Sequence, residues 1–389
     1  MGHGDSATSR ARGGPVTGSA GRRSRPAPPG RPKGPLWARA CVILGAVLTL
    51  ASTTALIGIR LLARAATSSI TQANILGGAR ATPGTHLRGP LNFLLIGSNY
   101  RDWAPTNGER ADSLMVVHVP AGMNRAYFVS IPRDLYYPIK PYPPTHFKGS
   151  TEKIDAALNY GGMPLMAQTI ADLTGLTFNG AVETRFDGFE KAVQTLGGIT
   201  ICVDVKTVSV HIGHDRNGRF AAPYTNTGGH PIKVPDVTPQ VYYPGCQHLA
   251  AWQALDYVRQ RELLPNGDYD RQRHQQQFIV AVLKQLVSAG TLTDPIKLDR
   301  AVHDIGSGLT VDTNGTPILD FVYALKDIRP ESIVGLRTPS HPQPRPPYYI
   351  VGDAGINDLW QALRDDTLDA FAAAHPQLVN KLHTAPGTP

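Results

Sequence analysis

The segment Tyr257-Val-Arg-Gln-Arg-Glu-Leu-Leu-Pro-Asn-Gly-Asp-Tyr-Asp-Arg-Gln-Arg-His-Gln-Gln-Gln-Phe278 concentrates guanidinium groups in a pattern that packing alone does not require. Arg259 and Arg261 stand two apart, a spacing that points both to one side of an extended segment. Arg271 and Gln275 stand four apart, and the apolar positions Phe278, Ile279, Val282, Leu283 and Leu286 predict a helix on which the two share a face. Planar, permanently charged forks that converge in this way suit the oxygens of a phosphate or diphosphate. The competing account is a solvated cationic face with Asp268 as an ordinary N-cap. Two carboxylates, Asp112 and Asp134, lie at strand ends beside Arg110 and Arg133. A hard cation such as Mg²⁺ needs one or two carboxylates plus substrate phosphate oxygens and water, so these residues are candidates to bind a metal-bound diphosphate, with arginines balancing charge as a phosphoryl group moves. Strand-end turn residues are the alternative for both aspartates.

Strands are expected at 91–97, 114–119, 126–131, 181–184, 199–205 and 333–336. Helices are expected at 153–160 and 164–175, split by Gly161-Gly162, and at 186–196, 245–256, 298–305, 317–325 and 356–364. Residues 206–243, rich in Thr, Gly, Pro and Asn, read as a long irregular excursion. This interleaving predicts one α/β domain with a central sheet flanked by helices. Arg133 and Asp134 then follow the end of the strand Ala126–Ile131, where open α/β sheets usually place their ligands.

The 389 residues carry a net charge of +8 and 41% apolar residues, ample for a core. Eight of the 38 basic residues but only one acid, Asp5, fall in residues 1–39, which leaves 30 bases against 29 acids in the rest. The basicity belongs to a Gly-, Pro-, Ser- and Arg-rich tail expected to be disordered, and nucleic acid is not an expected partner. Ala40 to Ile59 is free of charge and long enough for a transmembrane helix (40–62), followed by a linker (63–90), a folded domain (91–375) and a tail (376–389). The basic tail predicts a single-pass protein of the cell membrane with a cytoplasmic N-terminus and an extracytoplasmic domain. The alternative is a cleaved signal peptide ending near Ala63-Arg-Ala65. Cys202 and Cys246, the two cysteines of the exported part, are expected to pair, the alternative being two buried thiols.

There is no phosphate-binding Gly-x-x-x-x-Gly-Lys-Ser/Thr loop, no His-Glu-x-x-His and no Gly-x-Ser-x-Gly. What the chain does contain, in order, is Phe93-Leu-Leu-Ile-Gly-Ser98, Arg110-Ala-Asp-Ser113, Ser130-Ile-Pro-Arg-Asp134, Lys153-Ile-Asp-Ala with Gly161-Gly162, Phe186-Asp-Gly-Phe with Gly197-Gly198-Ile, and Tyr257-Val-Arg-Gln-Arg261 followed by Asp268-x-x-Arg271 and Gln275-Gln276. In these motifs it resembles the LytR-CpsA-Psr family of bacterial cell envelopes over roughly residues 90–290.

The resemblance implies an α/β/α domain and a membrane-anchored, Mg²⁺- or Mn²⁺-dependent enzyme. Such an enzyme moves a glycopolymer from a polyprenyl diphosphate carrier to peptidoglycan, forming a phosphodiester and releasing polyprenyl phosphate. It implies that Asp112 binds the metal, that Arg110, Arg133, Arg259, Arg261, Arg271 and Gln275 hold the diphosphate, that Lys153 and Asp268 line the same site, and that an apolar pocket for the lipid lies between sheet and helices. Two departures stand out. Asn99 takes the place of a family aspartate as second metal ligand, and His274 replaces an arginine before Gln275. Asn99 keeps a second function in view, a non-catalytic polyprenyl-phosphate-binding regulator, and the same site with water as acceptor would be a polyprenyl diphosphate hydrolase.

Overall fold

The computed structural model of the chain describes residues 71–82, 87–99, 110–227, 230–291 and 308–382, with positions 294, 297, 303 and 306 between them. All of these belong to the second of two units, Gly58–Pro389. The expected tail 1–39 and transmembrane helix 40–62 lie outside the described residues, as does most of the expected helix 298–305. Among the described residues no helix is long and apolar enough to cross a membrane.

One mixed sheet runs through the domain. Its strands are β1 (Thr71–Gln72), β2 (Leu91–Ser98), β3 (Ala111–Val119), β4 (Ala126–Ile131), β5 (Gly180–Thr184), β6 (Leu309–Asp312), β7 (Ile333–Arg337) and β8 (Val379–Asn380), in the order β1-β6-β5-β2-β3-β4-β7-β8. At its centre β2, β3 and β4 pair antiparallel, while β5 joins β2 and β7 joins β4 in parallel. Helices α1 (Ala156–Thr174), α2 (Phe186–Thr195), α3 (Ala251–Arg259), α4 (Asp268–Ser288), α5 (Ile318–Leu325), α6 (Ile356–Arg364) and α7 (Leu368–Ala374) accompany it. The pleat sorts the core into two layers. Leu94, Leu114, Val116, Tyr127 and Val129 pack with Ala157, Ile170 and Trp360 from α1 and α6. On the opposite face Met115 and Phe128 meet Val280 of α4, with Leu95 and Ile279 packed alongside. β4 is buried along its whole length, as a strand covered on both faces must be.

Several boundaries differ from the sequence expectation. Residues 71–82 are structural: β1 pairs with β6, and Ile75 and Leu76 are 1% and 0% exposed, so the folded domain begins inside the stretch read as linker. It also ends later than 375, because β8 pairs with β7 and Leu378 is buried. The excursion 206–243 is a set of antiparallel strands, Thr207–His214, Phe220–Ala221, Tyr224–Thr227, His230–Lys233 and Thr238–Tyr242. Asn217 and Gly218 turn one hairpin, but Gly213, Asn226, Pro231 and Pro239 sit inside paired strands, so composition alone hid the pairing. Gly245–Leu249 is a strand paired with Ile199–Val203, and the helix starts only at Ala251. The three-residue spacing of Leu249, Trp252 and Leu255 had suggested one longer helix, but Leu249 ends the strand.

That strand places Cys246 directly opposite Cys202, and the two form a disulfide. Closing a loop of this length contributes roughly 3–5 kcal/mol through the unfolded chain. Lys153 ends a short strand, Ser150–Lys153, instead of opening a helix. The two helices expected around Gly161-Gly162 form α1 with a kink at that pair, where Gly162 takes φ 65°.

Candidate functional site

The site begins with an irregularity between β2 and β3. Gly97 pairs with Ser113 and Ser98 with Ala111, so Asp112 is the extra residue of a β-bulge. In a regular strand Asp112 and Ser113 would face opposite sides. The bulge re-aims them, and both line one cavity. Its volume is about 370 Å³, and it lies between the sheet and helices α2, α3 and α4.

α4 supplies a second wall. Gln276, fully buried, donates from Nε2 to Phe128 O at 2.9 Å, Ser130 Oγ at 2.9 Å and Leu336 O at 3.1 Å, which pins the helix to the sheet. A Cβ on Gly335 would lie 2.3 Å from the Gln276 Oε1, so this approach requires glycine. With α4 so fixed, Arg271 and Gln275 face the cavity, and Ser113 Oγ donates to Gln275 Oε1 at 2.9 Å. Asp268 is not the N-cap; Gly267 is, with φ 55°. Asp268 sits in the first turn, 2.5 Å from Arg271 Nη2.

Arg259 and Arg261 also reach the cavity, by a different route from the extended segment expected. Arg259 is the last residue of α3, with its guanidinium 4.4 Å from the centre of the Phe186 ring. Gln260 then leaves the helix with φ −67° and ψ 137°, and Arg261 follows. Gln260 is buried. Its Nε2 donates to Asp256 Oδ1 at 2.7 Å, and its Oε1 accepts from the Val210 N–H at 2.9 Å. The turn that presents both arginines is therefore anchored to the strand Thr207–His214.

The cavity has two chemical ends. Leu95, Met115, Val182, Phe189, Val193, Phe278, Ile279 and Val282 make an apolar interior. Five arginines, Arg133, Arg185, Arg259, Arg261 and Arg271, stand against two lining carboxylates, Asp112 and Glu262. Arg133 Nη1 contacts Asp112 Oδ1. Burial opposes the Arg133 charge, but Asp112, Asp134, Asp268 and Asp155 outweigh it and hold its pKa above the ordinary value. Arg271 is pushed the other way: burial lowers its pKa, Arg133 and Arg261 add to that, and Asp268 and Asp112 offset it in part. The Nε atoms of both Arg133 and Arg271 are buried without a hydrogen-bond partner. Buried, under-satisfied guanidinium groups with surplus positive charge favour a bound anion.

Three residues expected at the diphosphate site, Arg110, Lys153 and Asp268, do not line the cavity, and Asp268 stands against Arg271 instead. Arg110 Nη1 lies 3.3 Å from Asp155, whose pKa burial pushes up to about 6, and Lys153 Nζ lies 2.8 Å from Asp134. Burial would raise the pKa of Asp134, but Lys153, Arg133 and Arg261 together hold it below the ordinary value. Asn99 is likewise absent from the lining, and its Oδ1 accepts the Arg110 N–H at 2.9 Å. Among the described residues no group of three or more His, Cys, Asp or Glu is placed to hold a metal ion. A single carboxylate joined by diphosphate oxygens is still an adequate donor set for Mg²⁺, and Asp112 fits that role. His274 does not face the cavity. It is fully buried, stacks on Tyr257 at 4.3 Å and is pushed by burial toward the neutral form.

Arg185, His211, Glu262 and Ser113 line the cavity without having been singled out in the sequence. Ser113 carried a signal, its place next to Asp112. Arg185 sits at the N-cap position of α2 and pairs with Glu183 at 3.2 Å, and nothing in its local pattern marks it.

Fold and cavity together define an α/β protein with an apolar pocket beside a cluster of arginines. The LytR_cpsA_psr family model matches residues 61–365, and the chain belongs to that family. It is 25% identical over 290 residues to the cell wall biosynthesis protein LcpA of Corynebacterium glutamicum, a match covering 66% of this chain and 51% of that protein, so the chain spans about half the length of that relative. It is 28% identical over 277 residues to the polyisoprenyl-teichoic acid–peptidoglycan teichoic acid transferase TagU of Bacillus anthracis, covering 71% and 78%. The crystal structure of B. subtilis TagV shares its fold with a TM-score of 0.54 at 20% identity, covering 72% of this chain and 98% of that one.

Proposed function

We propose that this chain is a membrane-anchored glycopolymer transferase of the cell wall. The observation that carries the reading is one cavity joining an apolar interior to five arginines. A polyprenyl chain fills the interior, and its diphosphate meets Arg133, Arg259, Arg261 and Arg271. A hydroxyl of peptidoglycan attacks the phosphorus that bears the glycan. The new O–P bond forms, the bond from that phosphorus to the bridging oxygen breaks, and polyprenyl phosphate leaves, its freed oxygen taking up the proton that the hydroxyl gives up. The arginines act where charge develops. Asp112, with diphosphate oxygens, would hold Mg²⁺ or Mn²⁺, whose charge would offset that of the leaving phosphate. Arg110 and Lys153 act from behind by fixing Asp155 and Asp134. The relatives named for cell wall biosynthesis and teichoic acid transfer support the reaction class, and the uncharged run Ala40 to Ile59 supports a single-pass anchor in the cell membrane with the domain outside.

The test uses the full chain in detergent with a polyprenyl-diphosphate-linked glycan, soluble peptidoglycan fragments and Mg²⁺, following lipid release and fragment mass together. A mass gain on the fragment that disappears in Arg261→Ala is the expected result. Lipid release without that gain makes the protein a hydrolase, and tight lipid binding with neither signal makes it a non-catalytic regulator.

A further inference from the structure

A second cavity, of about 420 Å³, is lined by His211, Ile212, Phe220, Ala221, Ala222 and Trp252. Its size falls in the range of roughly 300–1,000 Å³ usual for small-ligand sites. Phe220 is 66% exposed although it is among the largest apolar side chains of this part of the molecule. It is not loose: its ring lies 5.0 Å from that of His214 and 5.3 Å, edge to face, from the half-buried Trp252. Three rings thus form a shelf open to solvent on one side.

The shelf is continuous with the site already described. His211 lines both cavities. Trp252 and Arg259 lie on the same helix seven residues apart, hence on one face and about 10 Å apart along the axis. The register is held by Gln260, which ties the end of α3 to Val210, next to His211. A ligand that extends from Arg259 along that helix face for roughly 10 Å meets the aromatic shelf.

We infer that the Phe220–Trp252 shelf is a glycan subsite that stacks the pyranose rings nearest the diphosphate of the donor. The apolar C–H face of a pyranose complements the negative face of an aromatic ring, and a span of about 10 Å holds about two such rings. The donor is chosen over the acceptor because its first sugars are covalently tied to the diphosphate, and the shelf lies a fixed distance from an arginine that meets that diphosphate. This inference rests on the proposed transfer reaction.

The test measures binding of two probes to the full chain in detergent, a polyprenyl diphosphate carrying an N-acetylglucosamine disaccharide and the same lipid without sugar. The wild type should bind the sugar-bearing lipid roughly ten-fold more tightly. Trp252→Ala and the exposed-site variant Phe220→Ala should each lose most of that gain and leave binding of the bare lipid unchanged, while Trp252→Phe should restore much of it. Equal affinity of the wild type for the two lipids overturns the subsite but leaves the transferase reading intact. If the variants instead weaken binding of a soluble disaccharide-peptide fragment of peptidoglycan and not of the donor, the shelf belongs to the acceptor and the inference fails. Failure of both lipids to bind the wild type overturns the proposed function and this inference with it.

Discussion

The two sides of α4 carry charge to opposite ends. Toward the cavity, Arg271 joins four other arginines facing two carboxylates, and its Nε, like that of Arg133, has no hydrogen-bond partner. Away from the cavity, Arg273 is held between two acids, with Nε 2.6 Å from Asp204 and Nη1 in contact with Asp270. His274 completes this second cluster, with Nε2 3.6 Å from Asp204 Oδ1. Arginines are paired with acids on both sides, Arg133 with Asp112, Arg261 with Glu262 and Arg271 with Asp268 toward the cavity; what the cavity side adds is more lining arginines than lining carboxylates and two guanidinium Nε atoms without a hydrogen-bond partner. A buried arginine is therefore not by itself a sign of a ligand; the balance of charge around it is.

The largest effect should come from the side of α4 away from the cavity. Arg273→Ala leaves Asp204 and Asp270 without their cation and should cost about 3–5 kcal/mol of stability, read from denaturant unfolding, while the folded fraction keeps its turnover. Arg261→Ala on the cavity side should do the reverse, lowering transfer by roughly 10²- to 10³-fold with the unfolding midpoint nearly unchanged. If both variants lose stability equally, the distinction between the two faces of α4 is wrong.

Two carboxylates, buried Asp256 and partly exposed Asp204, sharpen it further. Burial raises Asp256 to about 6, despite hydrogen bonds from Tyr242, Ser209 and Gln260 and the more distant charge of Arg259. For Asp204 burial also works upward, but His274 and Arg273 outweigh it and its pKa is depressed. The signs are opposite. The contribution of Asp256 to stability is complete below about pH 4 and is lost as pH rises through about 6, a span of roughly 3 kcal/mol. That of Asp204 is present above the ordinary carboxylate pKa and is lost as pH falls toward its depressed value. Melting curves across pH should flatten between about 4 and 6 in Asp256→Asn and below about 4 in Asp204→Asn. The smallest effect is expected at Asn99. Because its Oδ1 holds the Arg110 N–H and it does not line the cavity, Asn99→Asp should change the Mg²⁺-dependent transfer rate by no more than about two-fold.

Much of this was legible locally. Alternating and continuous apolar runs marked β2, β3 and β4, because burial on a pleated sheet writes itself into the chain with a period of two. The four-residue spacing of Arg271 and Gln275 marked a common helix face, since helix geometry is set by the chain alone. Cys202 and Cys246 announced their pairing by number and compartment, but their register came from the strand Gly245–Leu249, which the sequence had suggested was helical. Other features depended on contacts far apart in the chain. The bulge that turns Asp112 toward the cavity exists only where β3 meets β2. Arg185 and His211 reach the arginine cluster only because α2 and the hairpin strands fold over it. His274 and Gln275 are adjacent in sequence yet face Asp204 and a cavity, respectively. Spacing along one element fixed which residues share a face. Which of those faces meets a ligand and which meets the protein's own acids was decided by packing between elements, because charge is balanced in space and not along the chain.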